Sequence, residues 1–136
     1  MILLDTGPLV ALFDPRDDAH GRARETLSKV VEKMVTTVPV LTEVFHLLGP
    51  SSRGARALRT FIMQGGLDLW WLSQRSLSRA FQLMDDYADH PMDLADASLV
   101  VAGEVLRTTK IFTIDRRDFL SYRARIGRTL RPFTLV

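Results

Sequence analysis

The sequence predicts an α/β domain, a mostly parallel sheet of about five strands flanked by helices, with residues 1–136 forming a single unit. Three observations carry this. Short apolar or β-branched runs alternate along the whole chain with stretches of helical spacing, the pattern of strands joined by crossover helices. The first run, Ile2-Leu3-Leu4, is apolar on both faces, as strands inside a parallel sheet are. A chain of 136 residues, 46% hydrophobic and 25% charged, can bury one core and has the composition of an ordinary soluble globular domain.

The elements follow in order. Ile2-Leu3-Leu4 ends on Asp5-Thr6-Gly7-Pro8, where Thr6 suits a helix N-cap and Pro8 is tolerated in the first helical turn. After that helix, Asp14-Pro15-Arg16-Asp17-Asp18 is a turn. Asp18 then caps a helix expected to reach Met34, with Ala19, Ala23, Leu27, Val30, Val31 and Met34 inward. Val35 to Val38 is a β-branched strand, and Pro39 opens a helix through Leu48 that carries Glu43 near its start. Ser51 or Ser52 caps the next helix, on which Arg53, Arg56 and Arg59 recur at every third position, either as a solvated face or as a surface for RNA or a partner. Gly65-Gly66 ends it. Leu67 to Leu72 reads as a third strand, with Trp70 and Trp71 as core and interface residues.

A helix from Leu77 to Ala88 is followed by the turn Asp89-His90-Pro91. The helix from Asp93 to Leu106 is rich in small residues, so it packs closely on the sheet. Lys110 to Thr113 make a fourth strand, closed by Asp115. Asp118 to Tyr122 form a helical turn, and Pro132 to Val136 a terminal edge strand.

Composition removes several classes of function. Without cysteine there are no disulfides, thiolate metal sites or thiol catalysis, and a reducing cytoplasm is the simplest compartment. No stretch resembles a signal peptide, and none approaches the roughly 20 apolar residues needed to span a bilayer. The net charge of +2 is unevenly distributed. From Arg107 onward eight basic residues face only Asp115 and Asp118, while Asp85, Asp86, Asp89, Asp93 and Asp96 form an acidic block just upstream. Acid beside base suits a metal-dependent enzyme acting on a polyanion, although solvated surface arginines would give the same composition.

The acids fall at particular places in this layout. Asp5 closes the first strand, Glu43 lies in the helix after the second, Asp96 in the first turn of a later helix, and Asp115 closes the fourth strand. In a parallel sheet the carboxyl ends of all strands share one edge, which is where ligands bind. Four acids scattered through the sequence therefore converge on one rim. Carboxylates that close repel one another unless a cation is present or some are protonated. A ligand set of oxygens alone favours Mg²⁺ or Mn²⁺, and such a site suits phosphodiester hydrolysis. Asp93 competes with Asp96, as ligand or as N-cap of the same helix, and Asp118 competes with Asp115 in the same way. The triplet Asp5-Thr6-Gly7 also occurs in aspartic proteases, but those need two copies on an all-β fold. Glu43-x-x-His46 lacks the second copy that a di-iron bundle requires.

Four segments, Asp5 to Leu12, Thr42-Glu43-Val44, Asp93 to Ala97 and Phe112 to Phe119, resemble in order the motifs of PIN-domain nucleases, in particular the small bacterial and archaeal toxin-type (VapC-like) members. The resemblance spans essentially the whole chain. It implies a metal-dependent endoribonuclease, with Asp5, Glu43, Asp96 and Asp115 in the acidic positions and Thr6 and Thr113 in the small hydroxyl positions beside them. Thr42 stands where many members carry Asn. The resemblance further implies a homodimer silenced by a small antitoxin that inserts into the active-site groove. Arg116 and Arg117, next to Asp115, are candidates to grip the RNA backbone. The alternative of another class is a PIN-like module that binds RNA or a protein partner without cutting, or that serves RNA processing.

Overall fold

Ile2–Leu4 (β1) is almost wholly buried and lies at the centre of a five-stranded parallel sheet of order β3-β2-β1-β4-β7. The computed structural model describes residues 1–136. β2 (Met34–Thr37) and β4 (Lys110–Phe112) flank β1, with Leu3 opposite Val35 on one side and Ile111 on the other. β3 (Asp68–Trp70) and β7 (Thr134–Leu135) form the edges. The helices are α1 (Thr6–Phe13), α2 (His20–Ser28), α3 (Val38–Leu48), α4 (Arg53–Met63), α5 (Gln74–Asp86), α6 (Leu94–Leu106) and α7 (Arg116–Ser121). An antiparallel hairpin, β5 (Arg123–Ile126) and β6 (Thr129–Pro132), lies outside the main sheet.

The predicted fold class and all five strands of the main sheet are present; most differences are at boundaries. Asp5, not Thr6, caps α1: its carboxylate accepts the Thr6 N–H at 2.8 Å, which frees the Thr6 hydroxyl for a longer-range bond. α2 stops at Ser28, well short of Met34, because the chain must be extended by Met34 to pair with Ile2. Val31, expected inward, is consequently 94% exposed. Thr37 ends β2 and caps α3, placing Pro39 in the first turn, where a missing N–H costs nothing.

The hairpin is the one feature absent from the predicted layout. Ala124 and Ile126 are buried while Arg125 between them is exposed, and Gly127, at φ +64°, occupies the first position of a two-residue turn that favours glycine there. The density of arginines hides this period-two pattern, and Pro132 belongs to β6 rather than to the terminal strand.

α6 is buried along nearly its whole length from Ala95 to Gly103 and touches β2, α3, α5 and β5. Two buried hydroxyls tie it to the sheet, Thr37 and Ser98 lying 2.6 Å apart, and Thr36 donates to the Leu4 carbonyl at 2.8 Å. No buried polar side chain lacks a partner.

The approach of α4 to α1 supplies a test of packing. A methyl at Gly54 would collide with the Phe13 carbonyl, whereas one at Gly21, on α2, would meet nothing within 4 Å. Gly54→Ala is expected to lower stability by about 1–3 kcal/mol through overpacking, although Ala is the better helix former. Gly21→Ala should raise it by roughly 0.5 kcal/mol. Chemical denaturation of the two variants checks both signs.

Candidate active site

The carboxyl ends of β1 and β4, the first turns of α1 and α6 and the N-terminal half of α3 meet at one edge of the sheet, with Asp5 among them. Each oxygen of the Asp5 carboxylate accepts one hydrogen bond. Oδ1 accepts the Thr6 N–H at 2.8 Å, and Oδ2 accepts the Thr113 hydroxyl at 2.8 Å from the end of β4. The Thr113 hydroxyl also lies 3.2 Å from the Asp115 carbonyl, so it fixes the turn into α7. Thr6, one residue beyond Asp5, donates its hydroxyl to Glu43 Oε2 at 2.8 Å. Both threonines of the predicted set therefore bond to predicted acids.

Asp96, in the first turn of α6, forms the second focus. Its Oδ2 accepts the Tyr122 hydroxyl at 3.1 Å, and its backbone N–H is taken by Asp93 Oδ1 at 2.8 Å. Asp93 is the N-cap of α6 and is exposed. The structure thus gives the capping role to Asp93 and leaves the Asp96 side chain free of it. Burial pushes the Asp5 carboxyl up to about 6, against the hydrogen bonds from Thr113 and Thr6; the charges of Asp93 and Glu43 push the same way. Burial likewise raises Asp96 to about 7, helped by Asp93, Asp5 and Asp118, while the Tyr122 hydrogen bond opposes it. Tyr122 itself is pushed up by burial and by these carboxylates, so it stays a neutral donor.

Neither Asp115 nor Asp118 caps α7 through its side chain. Asp115 occupies the N-cap position of α7 but makes no capping bond, and its carboxylate is exposed. Asp118, in the first turn of α7, is held by His90 Nε2 at 3.0 Å and lies close enough to Asp96 for its charge to help raise it. His90 comes from the α5–α6 connection, which a sequence pattern does not bring to α7. Arg116 and Arg117 are exposed beside Asp115. Asp5 feels the charges of Asp93 and Glu43, and Asp96 those of Asp93, Asp5 and Asp118, while Asp115 is joined to the group through its carbonyl, which accepts from Thr113.

Tyr122 is the site residue that sequence reasoning missed. Its ring is fully buried among Tyr87, His90 and Phe119, and only its hydroxyl reaches the carboxylates. Nothing in the local sequence separates it from a core aromatic.

The donors on this edge are carboxylate and hydroxyl oxygens, the set that hard divalent cations prefer. The raised Asp5 and Asp96 carboxyls are the electrostatic state that a cation would relieve, so the residues fit Mg²⁺ or Mn²⁺ in chemistry. They are not a closed cage, since no three acids or histidines converge tightly enough to enclose an ion unaided. Substrate phosphate and water would complete such a shell.

The chain as a whole is similar to known proteins. The chain is 26% identical over 125 residues to Ribonuclease VapC26 of Mycobacterium tuberculosis, covering 90% of this chain and 92% of that protein. Its fold matches the crystal structure of M. tuberculosis VapC20, described as a sarcin-ricin loop cleaving toxin, with a TM-score of 0.81 at 16% identity, covering 96% and 99% of the two chains. It also matches a toxin-antitoxin complex from Klebsiella pneumoniae, with a TM-score of 0.69 at 20% identity over 89% and 92%. The PIN domain family profile matches residues 2–124, and on that extent of agreement the chain belongs to the PIN-domain family.

Proposed function

We propose that this PIN domain is a metal-dependent endoribonuclease that hydrolyses RNA phosphodiester bonds and acts as the toxin of a toxin–antitoxin pair. The observation that carries the reading is the pair Asp5 and Asp96, both held with raised carboxyls at the carboxyl edge of a parallel sheet and linked only to neutral donors. The likeness to a relative named as a ribonuclease supports the substrate class, and the likeness to a toxin-antitoxin complex supports an antitoxin partner; the homodimer is what the family resemblance implies. A cytoplasmic location fits a chain in which no helix is long and apolar enough to cross a membrane.

In this proposal Asp5 and Asp96 hold the Mg²⁺ or Mn²⁺ ion, with Glu43 and Asp115 completing the site and Asp93 and Asp118 adding negative charge around it. A cation held there would supply water activation and charge neutralisation at the leaving oxygen. Thr113 and Thr6 keep Asp5 and Glu43 aimed at the edge, and Tyr122 does the same for Asp96. Arg116 and Arg117 contact backbone phosphates and supply the sequence-independent part of affinity.

Cleavage of an RNA pool should require a divalent ion and leave 5′-phosphate and 3′-hydroxyl ends, because water rather than the ribose 2′-hydroxyl is the nucleophile. Full activity in excess EDTA, or 2′,3′-cyclic phosphate ends on mapping, would overturn the proposal.

Asp93 and Asp96 should separate by mutation. Asp93→Ser retains a capping side chain, so stability changes by only a few tenths of a kcal/mol and most cleavage remains. Asp96→Asn should abolish cleavage and raise the melting temperature of the metal-free protein, with Mg²⁺ then stabilising the variant less than the wild type. An inactive Asp93→Ser beside an active Asp96→Asn would reverse the assignment.

The raised carboxyls also fix a pH dependence. Folding raises both groups, so between about pH 4 and pH 7 the folded protein binds more protons than the unfolded chain, and stability falls as pH rises. The metal-free wild type should lose on the order of 5–10 °C in Tm across that window relative to the Asp5→Asn, Asp96→Asn double variant. Calorimetry at pH 4.5 and about pH 8 reads the difference, and equal slopes would refute it.

A further inference from the structure

A cleft of about 150 Å³ opens between α2 and the connection from β4 to α7 and shares Thr113 with the carboxylate site. Its link to the site is direct. Thr113, which lines it, is the residue whose hydroxyl binds Asp5, and Ile114 next to it packs on the first turn of α1, where a Cβ on Gly7 would stand 3.3 Å from the Ile114 Cβ. The cleft has two kinds of wall. Phe112, Ala19 and Ala23 are buried and apolar, and Ile114 keeps 39% of its surface exposed. Arg22 from α2 and Arg116 from α7 supply exposed guanidinium groups, neither of them paired with an acid.

We propose that this cleft is a nucleotide subsite, holding one nucleotide of the RNA strand next to the bond that is cut, with its phosphate between Arg22 and Arg116 and its base against Ile114. The inference rests on the ribonuclease reading and extends it from the reacting phosphate to its neighbour. Two unpaired guanidiniums over an apolar floor match a nucleotide, which offers an anion and a flat apolar face together. Adjacency decides in favour of substrate over a separate ligand. A strand whose scissile phosphate meets Asp5 and Asp96 and that runs on over the end of β4 crosses Thr113, which also lines this cleft. An acidic peptide would satisfy the arginines but would leave the Ile114 face without a flat partner.

The experiment uses the full chain with Mg²⁺ and a randomised RNA pool, comparing wild type with Arg22→Gln, Arg22→Lys and Ile114→Ser. Both positions are at the surface, and unchanged melting curves establish that the variants fold. Arg22→Gln is expected to raise KM by about tenfold with kcat nearly unchanged, and Arg22→Lys to recover most of that loss. Ile114→Ser should flatten the nucleotide preference at a single position flanking the cut, as read by end mapping. Wild-type KM and an unaltered preference in Arg22→Gln and Ile114→Ser would overturn the subsite while leaving the ribonuclease reading standing. The same result accompanied by weaker binding of an acidic peptide to Arg22→Gln would assign the cleft to a protein ligand and overturn the proposal equally. A wild type that neither cuts nor binds RNA would remove the ribonuclease reading and the subsite with it.

Discussion

One carboxylate, that of Asp5, sets the constraint on which the rest depends. It sits at the end of a strand buried on both faces, so it can be reached only from the sheet edge, and burial opposes its ionisation. Holding it there takes a donor from the next strand over, Thr113 on the β4 side, and a donor from the start of its own helix, Thr6 N–H. These two bonds couple β1, β4 and α1 at a single point. The order of strands follows from the same requirement: β1 must be central for its end to be flanked by β4 on one side and by α3, after β2, on the other.

Much of this was visible in the sequence because it is local. A three-residue apolar run, a cap, and a helix rich in small residues are each decided by near neighbours, and α6 is as closely packed as its Ala and Gly content indicates. The acids could be assigned to one edge because parallel topology alone forces strand ends together. What escaped was decided at long range. The end of α2 depends on where β2 must begin to pair with β1, and no residue near Ser28 signals it. Tyr122 reaches Asp96 across 26 positions of chain, and His90 reaches Asp118 across 28. The β5–β6 hairpin carried a readable signal in Ala124, Ile126 and Gly127, but charge dominated that stretch and obscured its alternation.

The molecule's charge is segregated in a way that fits a polyanionic substrate. The acidic edge is small and recessed, whereas the arginines of α7, β5 and β6 are mostly exposed and stand in the chain segment immediately after Asp115. A phosphate strand is repelled by the carboxylates alone and attracted by the surrounding guanidiniums, so the two sets must act together. The Arg79–Glu104 pair between α5 and α6 shows the contrasting arrangement: there a half-buried arginine is held by two bonds to one carboxylate and serves packing.

The partners chosen for the site acids explain how both sets coexist. No lysine or arginine forms an ion pair with Asp5, Glu43, Asp93, Asp96 or Asp115. Their bonded donors are instead two threonine hydroxyls, a tyrosine hydroxyl and backbone N–H groups. A cationic partner would have stabilised the metal-free fold by lowering the carboxyls, and in doing so would have occupied the charge that an incoming cation needs. Hydroxyls orient a carboxylate and satisfy it without neutralising it. The fold therefore carries an electrostatic penalty at neutral pH that only an added positive charge removes, and free energy spent on that repulsion in the metal-free state returns as affinity when the site is filled.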